Sequence, residues 1–350
     1  MRVLQIGADR SKRGILFPGS PAWKRQEAYA KEFGNLDIIG FSLKEDGATE
    51  QSAGPLAIHP TNSSSKLLWG LDALRMARQL PRPDVVSVQD PFETGLAALL
   101  IARRWGVPLH IQVHTDFLSP EYARLSLLNR LRVCIAGFVL RRAARVRVVS
   151  ERIKNSIERR YRITAPISVL PIFVDIAKFQ NAQPLTDFSD DHITNSAYKI
   201  LVVSRDAPEK NIRLAVEAFR KAAPQNACLI LIGDIDAGYI STRDRIYGMG
   251  RADPERYYKS ADLVLVPSKY EGYGLVIVEA LAAGKPVIST DVGIAREAGA
   301  IVTTPEKFAD TLAEWFRSGP REGHLRGYPY KSLDEYVRAY CRDIIACARI

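Results

Sequence analysis

Short apolar runs alternate with helical patterns along most of this chain, which predicts sheets of parallel strands joined by helical crossovers. In the first half, residues 3–7, 37–43, 84–88, 109–114, 145–150 and 167–170 read as strands. Helical periodicity falls between them, at about 21–33, 66–79, 93–105, 121–144 and 151–161. The alternation restarts at 198–204. It continues through a helix at 211–223, runs at 228–233, 261–267 and 286–290, and an amphipathic helical tail at 333–350. Between the halves, residues 179–197 are polar, strandless and rich in Asp, Asn, Thr and Ser, which reads as an interdomain linker. The expectation is a doubly wound α/β chain in two domains, with ligands bound outside the carboxyl ends of the strands.

Composition narrows the class. A length of 350 residues suits two domains, and 47% hydrophobic residues with a mean hydropathy of −0.10 suit sizeable cores. No apolar run reaches transmembrane length, and Met1 leads directly into a strand, so no signal peptide is expected. The four cysteines show no Cys-x-x-Cys spacing and the five histidines no metal-ligand cluster, which points to a reducing cytoplasm and no metal. The net charge of +10 is uneven: residues 101–175 hold 14 Lys/Arg against 5 Asp/Glu. Such a basic segment implies an anionic partner, whether a membrane surface, a lipid phosphate or nucleic acid. Interleaved aromatic and basic stacking residues are missing, which disfavours nucleic acid. Residues 122–147 combine seven arginines with leucine-rich apolar positions. They read as a basic amphipathic helix able to touch the inner face of an anionic membrane, or as a core helix with snorkelling arginines.

The chemistry concentrates in one stretch. After the run at 261–267, Ser268 leads to Glu271-Gly272-Tyr273-Gly274-Leu275, then a short helix carrying Glu279 and stopping at Gly284. A glycine-bearing turn that opens a helix exposes free N–H groups where the helix dipole favours negative charge. Glu271 and Glu279, with seven residues between them, can project to the same mouth. A carboxylate accepts two hydroxyl hydrogen bonds at once, which suits a sugar or a ribose. The plain alternative is an ordinary strand–helix junction with solvated glutamates.

This stretch resembles the signature of retaining, nucleotide-sugar-dependent glycosyltransferases of family 4. Their GT-B architecture has two Rossmann-like domains facing each other across a cleft. The resemblance covers most of the chain and is strongest over 198–300. It implies domains at 1–178 (acceptor side) and 179–330 (nucleotide-sugar side), with a last helix, 331–350, crossing back to the first domain. By position, Glu271 with the amides of Gly272, Tyr273, Gly274 and Leu275 would hold the donor sugar, and Glu279 the ribose. Arg205 and Lys210, in the run Ser204-Arg205-Asp206-Ala-Pro-Glu-Lys210-Asn211, resemble the pair that grips the donor diphosphate. Fixed cations there stabilise the charge that develops as the glycosidic bond breaks. Gly248 lies where members bracket the nucleobase, and His114 matches the histidine near the donor sugar.

The same resemblance implies a UDP-sugar donor, with a GDP-sugar as the other choice. It also implies a saccharide or lipid-linked acceptor and no required cofactor. An epimerase or phosphorylase of the same architecture is the nearest rival, and a non-enzymatic anion or nucleic-acid binder a remoter one. Two departures stand out. Ser204 replaces the usual glycine, and the first loop, 7–23, lacks the usual glycine pair, with Gly19 and Ser20, near Arg25, as substitutes. Asp90, at another strand-to-helix mouth, is a candidate for the acceptor side. Asp234-Ile-Asp236 has the form of an Asp-x-Asp metal motif but reads as a loop.

Overall fold

The computed structural model describes residues 1–7, 14–188 and 190–349. The chain divides into two units, Met1–Pro171 with Ser332–Ile350, and Ile172–Lys331.

The first unit is built on eight strands: β1 (Arg2–Gly7), β2 (Asn35–Gly40), β3 (Gln51–Ala53), β4 (Leu56–Pro60), β5 (Val85–Val88), β6 (Leu109–Val113), β7 (Arg145–Val148) and β8 (Ile167–Val169). Their order is β3-β4-β2-β1-β5-β6-β7-β8, parallel throughout except for the antiparallel edge pair β3–β4. Val3, Ile6, Val86, Ile111 and Val146 are fully buried, as the inner strands of a sheet covered on both faces require. One face is unusual. His110 and Gln112 of β6 and Arg147 of β7 are buried there beneath the helix Leu333–Ala348, whose Tyr340, Asp343 and Ile344 are also buried.

The second unit carries six parallel strands: β9 (Tyr198–Val203), β10 (Ala227–Ile232), β11 (Ile246–Gly248), β12 (Leu263–Val266), β13 (Val287–Thr290) and β14 (Ile301–Thr303). The order is β11-β10-β9-β12-β13-β14. Phe219, Phe308, Leu312 and Trp315 fill one side of this sheet. Each contributes roughly 1.5–3 kcal/mol by leaving water.

Three sequence expectations are corrected. Residues 179–197 are not a linker, because Phe179, Phe188 and Ile193 are buried within the second unit and the break lies ahead of them. Phe179 packs edge-on against Tyr258 at 5.8 Å and Phe188 against Tyr257 at 6.1 Å, while Leu185 N donates to Ser260 Oγ at 2.6 Å. Those anchors are spaced without helical or strand period, so the segment reads as polar. The helix expected at 121–144 is two helices, Pro120–Leu125 and Leu127–Leu140. Ser126 breaks it by adopting extended backbone and capping the second helix through Asn129 N. Two of the seven arginines, Arg145 and Arg147, belong to β7 and point into the unit rather than to a basic helix face.

Candidate active site

The turn after β12 is shaped by its glycines. Gly274 takes φ +96° and starts the helix Leu275–Ala282, and Gly284 at φ +82° ends it. Tyr273 is buried, and its carbonyl accepts from Ile294 N at 3.0 Å. Gly293 makes this approach possible, since a Cβ there would fall 2.2 Å from the same oxygen. The first bond inside the helix runs from Ile277 N to Gly274 O at 3.0 Å. Among the described residues, the amides of Leu275 and Val276 therefore have no backbone partner, as a helix start dictates.

Glu271 is gathered with two side chains. Its Oε1 accepts from Lys210 Nζ at 2.5 Å and from Ser268 Oγ at 2.8 Å. The loops bearing Lys210 and Glu271 are tied by Lys269 N donating to Glu209 O at 2.7 Å. Arg205 is not part of this cluster. It pairs with Glu209 at 2.5 Å and its side chain is 73% exposed. Gly233, at φ +128°, lets the end of β10 pass the Ser204 carbonyl, which a Cβ would meet at 1.7 Å.

Glu279 stands apart, on the helix that Gly274 opens. Tyr258 OH donates to its Oε2 at 2.8 Å. Burial raises its pKa to about 7, against the lowering effects of the Tyr258 hydrogen bond and the Lys178 charge. Gly248 lines a different feature, an open cavity of ≈ 570 Å³ at the carboxyl ends of β9, β10 and β11. Asp206, Gly233, Asp234, Asp236 and Ile240 also line it. A volume of that order takes a nucleotide-sized group. Asp234 pairs with Arg251 and Asp236 Oδ1 accepts from Gly238 N at 2.7 Å, so both acids of the Asp-x-Asp run have protein partners.

In the first unit, His114 follows β6, with Nε2 3.3 Å from Gln112 Oε1. Burial, then the Arg147 charge, lowers its pKa to about 3, so the ring is neutral in the physiological range. Asp90 Oδ1 accepts from Phe92 N at 2.8 Å, and burial raises its pKa. Gly19, at φ +79°, has open space around its Cα. Ser20 is committed to structure: it accepts from Trp23 N at 3.0 Å and donates to Gly14 O at 2.8 Å. Residues 8–13 of the first loop, Arg13 among them, lie outside the described residues.

Sequence reasoning missed Ser268 and Tyr258 as partners of the two glutamates. Ser268 stands in the motif itself. Tyr258 carries no local signal, since it reaches Glu279 only through packing. Asp206 and Ile240 were likewise unmarked as cavity walls.

Comparison with known proteins gives this geometry a family. Residues 197–318 match the family model described as glycosyl transferases group 1, and residues 30–178 match glycosyltransferase family 4. The chain is 26% identical over 239 residues to an alpha-monoglucosyldiacylglycerol synthase of Streptococcus pneumoniae, a match covering 62% of this chain and 54% of that relative's length. It is 23% identical over 269 residues to the amylovoran biosynthesis glycosyltransferase AmsD of Erwinia amylovora, covering 73% and 72%. Anabaena HepE, solved in complex with UDP and glucose, shares the fold, with a TM-score of 0.67 at 19% identity over 100% of this chain and 97% of that one. With two parallel-sheet α/β units of GT-B type and both matched domains in place, the chain belongs to the family 4, group 1 glycosyltransferases.

Proposed function

We propose that the chain transfers a sugar from a nucleoside diphosphate donor, UDP-linked rather than GDP-linked, to a saccharide or lipid-linked saccharide. Anomeric configuration is retained and no metal takes part. The observation that carries this reading is the 2.5 Å pair of Lys210 and Glu271 near the helix start at Leu275 and Val276, whose amides have no backbone partner among the described residues. Without donor the two charges neutralise each other. A diphosphate takes over Lys210 and the amides, which releases Glu271 to receive sugar hydroxyls. Arg205, exposed, turns from Glu209 to the same diphosphate. Glu279 holds the ribose, the cavity beside Gly248 receives the base, and His114 serves the sugar and acceptor side. UDP is favoured by the ligand of Anabaena HepE. A glycolipid or envelope polysaccharide product is favoured by the names of the two relatives.

Thermal-shift binding of UDP, GDP, ADP and their sugars tests the donor site. UDP and a UDP-sugar should stabilise the wild type, and neither should stabilise Lys210→Ala or Glu279→Ala. Equal shifts in all three proteins would remove the site assignment. Stereochemistry of the product by NMR tests the mechanism, and an inverted anomer would end the retaining reading. Donor turnover without transfer would favour the epimerase or phosphorylase alternative.

A second reading concerns the acceptor's setting, the cytoplasmic face of a membrane. No helix among the described residues is long and apolar enough to cross a membrane. However, Leu127, Leu128, Leu131 and Phe138 of one helix and Leu96 and Leu100 of the neighbouring helix Glu93–Trp105 are exposed, Leu127 by 78%. Exposed Arg130, Arg141 and Arg142 lie on the same helix or at its end. Apolar residues among arginines suit a headgroup boundary of anionic lipid. Co-sedimentation with phosphatidylglycerol vesicles should fall several-fold in Leu127→Ser/Leu131→Ser, and binding to neutral phosphatidylcholine should be weak. Equal binding by both proteins would refute this contact.

A further inference from the structure

A neutral imidazole has one donor and one acceptor nitrogen, and its neighbours decide which is which. Nε2 of His114 faces the Gln112 amide, so the state of the ring depends on which end of that amide is presented. Amide oxygen and nitrogen have nearly the same shape, and only the surrounding network distinguishes them.

Here the network is anchored by charged groups. Arg147 Nη1 donates to Gln112 at 2.9 Å, and a guanidinium has no lone pair with which to accept, so the atom facing it must be oxygen. At the other end, Gln112 Nε2 donates to Tyr340 OH at 2.7 Å and to Ser87 Oγ at 3.2 Å. Tyr340 can accept because its own proton goes to Gln5 Oε1 at 3.1 Å. Ser87 can accept because its proton goes to His110 Nδ1 at 3.1 Å. His110 Nε2 in turn donates to the Asp343 carboxylate at 2.9 Å. Read inward from Arg147 and Asp343, one arrangement of protons makes all of these bonds at once. In that arrangement Gln112 turns its oxygen to His114, whose Nε2 must carry the hydrogen.

We propose that Arg147 is a positioning residue for the transfer reaction: through Gln112 it holds His114 as the Nε2–H tautomer. Nδ1 then keeps its lone pair for a hydroxyl of donor or acceptor. The role in transfer rests on the reading of His114 as a site residue, whereas the tautomer does not. Arg147 is well placed to impose it. The side chain is 1% exposed, Nη2 also donates to Leu170 O at 3.0 Å, and the guanidinium lies 5.1 Å from the Tyr340 ring centroid. The charge acting on the His114 ring is that of Arg147, which together with burial keeps the ring neutral.

The test is nitrogen-15 NMR of the histidine rings in the full-length protein near pH 7, with kinetics alongside. Wild type should show His114 as Nε2–H, with the assignment confirmed by loss of that signal in His114→Ala. A wild-type ring found as Nδ1–H, or as the cation, overturns the proposal without any variant having to fold. Arg147→Met frees the Gln112 amide to rotate, so the His114 signal should shift toward a tautomer mixture. Its kcat should drop about tenfold, the worth of one neutral hydrogen bond, with the donor KM unchanged. Arg147→Lys, which still only donates, should restore both. An unaltered tautomer in Arg147→Met would show that Arg147 does not set it. A shifted tautomer with unchanged kcat would refute the positioning role. Full activity in His114→Ala would locate the failure in the site reading instead.

Discussion

The buried polar face of the first unit and the turn at Glu271 both assemble charged side chains on strands or at their ends, yet they are built to opposite purposes. Asp343 is surrounded: His110, Arg145 and Ser168 all donate to it, at 2.9, 2.6 and 2.5 Å, and it is 6% exposed. Arg147 is as deeply enclosed. Lys210 and Glu271 have side chains 22% and 17% exposed, and both contacts to the carboxylate fall on Oε1. Groups bonded on every side resist exchange, because removing one leaves others buried and unpaired. A partly exposed pair can trade its partner for a ligand at a lower desolvation cost. The contrast separates charge that fixes the last helix to its sheet from charge that the proposed function holds ready for substrate.

The largest expected effect is on the enclosed side. Asp343→Ala leaves Arg145 and His110 without their acceptor and should destabilise the first unit by about 3–5 kcal/mol, measured by the denaturant midpoint. Asp343 is held at about 2, below its ordinary 3.8. Its contribution is therefore present above pH 3.8 and is lost as the pH falls toward 2. A small loss of stability in Asp343→Ala would break the comparison.

Lys210→Ala should do the reverse. Transfer should slow by roughly 100- to 1000-fold, the range for removing one fixed stabilising group from a developing charge. Stability should change by less than about 1 kcal/mol, as for other partly exposed ion pairs. Kinetics and thermal unfolding on one sample decide it. A variant whose unfolding temperature falls sharply while the folded protein keeps its rate would place Lys210 with the structural charges.

These two regions also differ in how far the sequence reveals them. Glu271, Gly272, Gly274 and Glu279 lie close in sequence, so a turn and one helix carry all four. Lys210 could be added because it follows a recognisable strand, β9. The polar face has no such signature: Tyr340 meets Gln5 across 335 residues and Arg147 meets Tyr336 across 189. In sequence, His110 and Gln112 show only as polar positions alternating on one strand, which looks like a solvated edge until a helix from the far end covers it. The longer strands were legible for the usual reason, Val, Ile and Leu in uninterrupted runs. Gln51–Ala53, Ile246–Gly248 and Ile301–Thr303 were not: three residues carry no period, and of the strands that short only Ile167–Val169 was legible, from its apolar run. Leu56–Pro60 was hidden by its proline and histidine, which suit a strand only because it lies near the sheet edge.

The smallest effect, and the finest probe of the exchangeable side, is the pH dependence that Glu279 confers. Burial raises this carboxyl to about 7, while the Tyr258 hydroxyl and Lys178 act to lower it. In the proposed ribose site the ionised form is the far stronger acceptor for the two hydroxyls, since protonation turns one oxygen into a donor. Nucleotide affinity should accordingly fall roughly tenfold between pH 8 and pH 6, as the ionised fraction does. Stability without nucleotide has the opposite sign. The folded protein holds its proton up to about 7 and the unfolded chain only to 4.5. The contribution is thus complete below pH 4.5 and lost as the pH rises through 7. Calorimetric titration with UDP across this range, beside unfolding of the free protein, reads both trends in one preparation. Glu279→Gln should flatten each. Tyr258→Phe, which removes a donor to the ionised form, should move the affinity midpoint upward. Affinity that stays level from pH 6 to pH 8 in the wild type would detach Glu279 from the ribose and return it to the buried, structural kind of charge that Asp343 represents.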